Sequence, residues 1–210
     1  MKKTLAIIGC GDLGQQIAHY AISDGHYDKV VFFDDFTEEK TINGFQILGN
    51  CDSIENEYKH SSFDELLIGI GYKHLDKRKS IFERFEGTIP FGRIIHSSCW
   101  VDPTAVIHAG CVIYPSCCID AHAVVGINSV LNISCSIAHD TVIGAHCFLS
   151  PRVALAGFVQ IESQCILGIN CTIIDTITVL SKTQIGGGTV VIADLKKSGL
   201  YVGNPHRFIR

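Results

Sequence analysis

The chain has 210 residues, 47% of them apolar and only 18% charged, with 21 acidic against 17 basic side chains and a formal net charge of −4. That balance allows one large or two small packed domains and offers no positive field for nucleic acid or an anionic membrane. The opening apolar run is stopped by Gly9, too short for a signal peptide, and nothing approaches the ~18 apolar residues that span a bilayer. A cytoplasmic protein is expected.

Thr4 to Ile8 reads as a buried parallel strand, followed by Gly9-Cys10-Gly11-Asp12-Leu13-Gly14 and an amphipathic helix through Ser23. Val30 to Phe33 reads as a second strand, closed by Asp34 and Asp35, and Phe45 to Leu48 as a short edge strand. Leu66 to Ile70 reads as a further buried strand, and His74 to Phe85 as a helix. Alternating strand and helix predicts a small, Rossmann-like parallel α/β domain over residues 1–93. The glycine loop matches G-x-G-x-x-G between a strand and a helix, where backbone N–H groups can approach a phosphate. Asp34 follows Gly14 by twenty residues, where a carboxylate can accept a bond from a ribose or a base. The motif also fits a plain tight βα turn, and a dinucleotide oxidoreductase is disfavoured because the domain is about half a full dinucleotide fold.

From Ile95 to Val191 every sixth residue is Ile, Leu or Val, seventeen positions in all. Six matches neither the helical nor the simple strand period; it matches a short strand plus a turn, repeated. Three hexads make a triangular coil of eighteen residues, with an aliphatic side chain pointing inward at each corner and coils stacked about 4.8 Å apart. A β-helix is expected over residues 94–198, and residues 199–210 as a tail that folds back or caps the last coil.

Seven of the ten cysteines (Cys99, Cys111, Cys117, Cys135, Cys147, Cys165 and Cys171) stand two residues before an aliphatic hexad position. Ala, Ser and Thr take that slot elsewhere, and no C-x-x-C occurs, so reduced packing thiols are expected rather than disulfides or a metal site. On an eighteen-residue coil no histidine stacks on another, which argues against a metal enzyme.

The repeat resembles that of the left-handed β-helix acyltransferases, and it is this resemblance that implies left-handedness, since parallel crossovers ordinarily turn right-handed. The whole chain resembles the sialic-acid O-acetyltransferase and bacillosamine-pathway N-acetyltransferase family. The matching residues are Ile7-Ile8-Gly9-Cys10-Gly11, Phe33-Asp34-Asp35, Ile68-Gly69-Ile70-Gly71 with Lys77 and Arg78, and the stretch from Ser136 through His139-Asp140 to Gly144. The resemblance implies a homotrimer that uses acetyl-CoA as co-substrate and no metal, with His139 as general base, Asp140 orienting it and the Gly157 N–H on the oxyanion. It implies CoA contacts along Ala156, Gly157, Asp175, Gly187 and Lys196, and nucleotide-sugar contacts at Gly9, Gly11, Asp12, Leu13, Asp34, Asp35, Gly69, Lys77 and Arg78. Gly157 lies one coil beyond His139, where a glycine leaves room for a thioester.

Two departures stand out. The family carries His in the glycine loop where this chain has Leu13, leaving His19 and Lys73 as candidates for that task. It also carries His where Phe148 stands, a residue thought to help bind the acyl group. The activity implied is acetylation of the amino group of a nucleotide-linked 4-amino-6-deoxy sugar in surface-glycan biosynthesis. O-acetylation of a sialic-acid-like hydroxyl and a non-catalytic, nucleotide-sensing trimeric scaffold are the alternatives.

Overall fold

A computed structural model describes residues 3–210. The chain divides into two compact units, Met1–Ile94 and Ile95–Arg210.

In the first unit the strands β1 (Thr4–Ile8), β2 (Lys29–Phe33), β3 (Thr41–Ile42), β4 (Phe45–Gly49) and β5 (Glu65–Ile68) form one sheet in the order β3-β4-β2-β1-β5. Only the β3–β4 pairing is antiparallel; β1 is flanked in parallel register by β2 and β5, Ile8 facing Phe33 and Ile68. Leu5 to Ile8 and Val30 to Phe33 are all buried, which explains why these strands are continuously apolar rather than alternating. Helices α1 (Asp12–Ser23), α2 (Ile54–Lys59) and α3 (Leu75–Phe85) complete the unit. Two elements differ from the sequence reading. β4 is not the edge, because β3 pairs with it through Asn43-Gly44, both at positive φ (47° and 83°) as a two-residue hairpin requires. β5 ends at Ile68, not Ile70, because the peptide of Gly69 turns to pack on Gly14.

The second unit is a left-handed parallel β-helix. Seventeen two-residue strands, Ile94–Ile95 through Val190–Val191, recur every six residues and sort into three parallel sheets. Partners are eighteen apart: Ile119 pairs with Ile137, and Ile137 with Leu155. The aliphatic series is buried almost throughout, from Ile107 to Val191. These side chains do not occupy the corners, as the hexad arithmetic suggested. Each is the second residue of a strand on a flat face, and the corners are two-residue turns between strands. The second turn residue has positive φ at every sixth position from Ser116 to Lys182, with Gly110 and Gly188 continuing the series. That left-handed residue lets the chain bend by a third of a turn without a longer loop. Leu200–Val202 then pairs in parallel with Gln184–Ile185, and Arg207–Phe208 returns antiparallel on it, so the tail extends one sheet as it folds back.

Ala123, Val153, Val159 and Ile177 fill the slot two residues before the aliphatic position with no donor, but a thiol or hydroxyl there commonly does more than fit. Such a side chain donates inward to the carbonyl fifteen residues ahead: Cys99 to Tyr114, Cys111 to Gly126, Cys117 to Asn132, Ser129 to Gly144, Thr141 to Ala156 and Cys147 to Glu162, at 2.8–3.2 Å. Cys135 and Cys165 continue the row. Cys, Ser and Thr are the residues that are both small and able to donate, and all ten cysteines are free thiols. Burial pushes the Cys171 thiol up to about 12. The row ends at Thr183, whose buried hydroxyl has no partner because the hexads have stopped before residue 198. Thr141→Val, nearly the same shape, should therefore cost about 1–3 kcal/mol by stranding the Ala156 carbonyl. Thr183→Val should be neutral or stabilising; urea unfolding of the two variants measures the contrast.

Candidate active site

His139 and Asp140 form the turn between the strands Ser136–Ile137 and Val142–Ile143. Asp140 holds the left-handed position of that turn, φ 58°. An acid tolerates this conformation better than most residues, and here it accompanies a carboxylate turned back on its neighbour. Asp140 Oδ2 lies 2.9 Å from His139 Nδ1. A neutral imidazole beside that carboxylate keeps its proton on Nδ1 and its lone pair on Nε2. Both side chains reach solvent, 50% and 38% exposed, so a substrate can approach them.

One coil on, Gly157 lies directly against the ring. A Cβ at Gly157 would stand 2.8 Å from His139 Cε1 and 2.9 Å from Nε2. The glycine thus makes room for the imidazole itself rather than for a thioester, because the ring already fills the space that a side chain would take. The neighbouring Phe158 N–H donates to the His139 carbonyl at 3.1 Å, whereas the Gly157 N–H makes no hydrogen bond among the described residues. An imidazole with its lone pair on Nε2 therefore lies against a residue whose backbone donor is unused. The Phe158 ring meets the imidazole edge to face, centroids 5.1 Å apart, a contact that hexad reading does not foresee.

Asp175 extends the same column by another coil: the Thr176 N–H bonds the Gly157 carbonyl at 2.9 Å, and Ala156 directly precedes the glycine. Gly187 does not share that column. It lies in the turn after Gln184–Ile185, a different corner, packed on Ile169. Lys196 is exposed just after Leu195, which bridges to Val179 near the end of the repeat. Phe148 stacks between Val130 and Ile166 in a different sheet from Ser136–Ile137, and it is buried. His146 is likewise buried, its Nδ1 3.0 Å from Asn128 Nδ2, so neither residue joins His139 within the chain. Among the described residues no group of three or more His, Cys, Asp or Glu is disposed to hold a metal ion.

In the α/β unit the glycines have distinct tasks. Gly9 is at φ 98°, and a Cβ on Gly14 would strike the Gly9 carbonyl oxygen at 1.9 Å. Gly69 closes the same contact, its virtual Cβ 2.6 Å from Gly14 Cα. Gly11 has open space around it and precedes α1 as its N-cap. The Asp34 carboxylate, expected to meet a ribose or a base, also holds the backbone: Oδ2 accepts from the Cys10 N–H at 2.9 Å and Oδ1 from the Phe36 N–H at 2.8 Å. Burial works against its charge, but these N–H donors prevail and hold its pKa below the usual range. Asp35 in turn accepts from Cys51. Arg78, expected as a substrate contact, is 1% exposed, and its guanidinium donates to the Ile68 and Ile70 carbonyls. Lys77, Asp12 and Asp35 are exposed and Leu13 half-buried. A carboxylate at Asp12 suits the positive end of α1 and opposes a phosphate at the same place. A cavity of about 520 Å³ opens beside the ends of β2 and β4, lined by Asp34 and Asp35 together with Lys40, Gln46 and Asn50, three residues that motif reading missed. Gly14→Ala should abolish the folded α/β unit, while Gly11→Ala leaves it intact; far-UV circular dichroism and thermal melts distinguish the two.

The PglD N-terminal domain family model matches residues 4–85. The acetyltransferase domain of PglB from Neisseria gonorrhoeae superposes with a TM-score of 0.92 at 27% identity, covering 99% of this chain and 100% of that one. The same domain in complex with acetyl coenzyme A gives 0.92 at 26%, with both chains fully covered. PerB from Caulobacter crescentus, in complex with CoA and GDP-perosamine, shares the fold with a TM-score of 0.87 at 24% identity over 99% and 97% of the two chains. No curated protein matches the sequence. A PglD-type α/β domain in residues 4–85, a hexapeptide β-helix after it and a full-length likeness to the PglB domain make this chain similar, over its whole length, to a sugar acetyltransferase.

Proposed function

We propose that the protein transfers the acetyl group of acetyl-CoA to the amino group of a nucleotide-linked amino sugar, of the 4-amino-6-deoxy type, in surface-glycan biosynthesis. The observation that carries this reading is the His139–Gly157 pair: an imidazole oriented by Asp140, its Nε2 edge against a glycine whose N–H is unused. The comparisons add support, since the PglB domain is described with acetyl coenzyme A and PerB with CoA and GDP-perosamine.

In the proposed reaction His139 Nε2 removes a proton as the neutral sugar amine attacks the thioester carbonyl. Asp140 stabilises the resulting imidazolium through Nδ1. The Gly157 N–H donates to the oxyanion that develops on the carbonyl oxygen. As the tetrahedral centre collapses, the C–N bond is kept, the C–S bond breaks, and the imidazolium returns its proton to the departing CoA sulfur. Ala156, Asp175, Gly187 and Lys196 are proposed contacts for CoA. A homotrimer, in which neighbouring copies flank that site, is part of the same proposal. For the nucleotide end, the acidic cavity beside β2 and β4 favours hydroxyl and base N–H donors, with exposed Lys77 the nearer candidate for phosphate. No helix of the described residues is long and apolar enough to cross a membrane.

The test is acetyl transfer from acetyl-CoA to UDP-, GDP- and dTDP-linked amino sugars, followed by release of free CoA thiol. His139→Ala should lower kcat by roughly 10²- to 10⁴-fold with the fold retained. Turnover close to that of the unmodified protein would remove the assignment. Gly157→Ala should displace the imidazole and cost about 10²-fold in kcat, a loss of the order expected when a reacting group moves by about 1 Å.

A further inference from the structure

Phe158 is a poor choice for its backbone. It occupies the left-handed turn position, φ 59°, in a ladder of Ser, His, Asn, Asp, Arg, Gln, Thr and Lys side chains in which it is the one large apolar residue. Asn and Asp enter that region readily, whereas a bulky aromatic residue there is a genuine outlier. Nor does burial repay the misfit, since Phe158 is 52% exposed. What it does touch is His139: its ring meets the imidazole at 5.1 Å and 88°, and its own N–H holds the His139 carbonyl. A strained, half-exposed side chain packed against a proposed base calls for a functional reading.

We propose that Phe158 is a positioning residue for His139. The inference rests on the reading of His139 as the base. Three contacts then define the imidazole: the Gly157 backbone against the Nε2–Cε1 edge, the Asp140 carboxylate at Nδ1, and the Phe158 ring at right angles to the imidazole plane. Gly157 and Asp140 fix one edge and one nitrogen of the ring, and the aromatic edge-to-face contact adds a third restraint against a swing toward solvent. Phe158 thereby keeps Nε2 beside the Gly157 N–H before substrate arrives, so little reorganisation remains for the chemical step.

The test compares Phe158→Asn and Phe158→Tyr. Asn fits the backbone and lacks the ring, so the melting temperature should hold or rise while kcat falls between about 10- and 100-fold, with KM for acetyl-CoA changed by less than about twofold. Tyr keeps the ring and should restore most of the loss. In proton NMR of the protein without substrate, the His139 ring resonances should lose their aromatic ring-current shift in the Asn variant and keep it in the Tyr variant. An Asn variant with unchanged kcat, or with unchanged His139 resonances, overturns the proposal. Failure of the acetyl-transfer reading would show separately, as full turnover in His139→Ala.

Discussion

Registry between coils governs this protein. In the β-helix each strand is only two residues long, too short to be stable alone, and it exists because parallel partners lie eighteen residues before and after it. The aliphatic residue of each strand fills the interior and prevents slippage, since a shift of one residue would turn it outward. All else in the unit follows from that lock. The left-handed turn residues stack into corner columns, the slot side chains line up with carbonyls one coil away, and residues eighteen apart come into contact.

The candidate site is one consequence of that lock. His139 owes its position to the turn that carries it, but its environment comes from the next coil. A glycine at 157 gives the ring a place to lie, and the residue after it contributes both an N–H to the His139 carbonyl and a ring against the imidazole. Local strain is accepted at Phe158, in a rigid column that can hold it.

The interior slots show the same economy. A β-helix interior must be apolar, yet one row of carbonyls points into it away from the coil-to-coil ladder. Thiols and hydroxyls on the residue just before the strand meet those carbonyls without taking up much volume. The cysteines of these slots are a packing and hydrogen-bonding solution.

Periodicity alone determined the solenoid and the stacking of His139 on Gly157, because an eighteen-residue coil turns sequence distance directly into spatial distance. The α/β character of the first domain was equally legible from buried runs alternating with amphipathic ones. The Asn43-Gly44 hairpin carries its own signal in two residues. Side-chain direction was not legible. Whether the aliphatic residues sat at corners or on faces, whether Asp34 and Arg78 faced a ligand or the backbone, and what the side chain at 158 touched depended on neighbours from distant parts of the chain. Period fixes which residues are level with one another; only the packed structure decides which atoms they present, because orientation is set by contacts that the one-dimensional pattern does not contain.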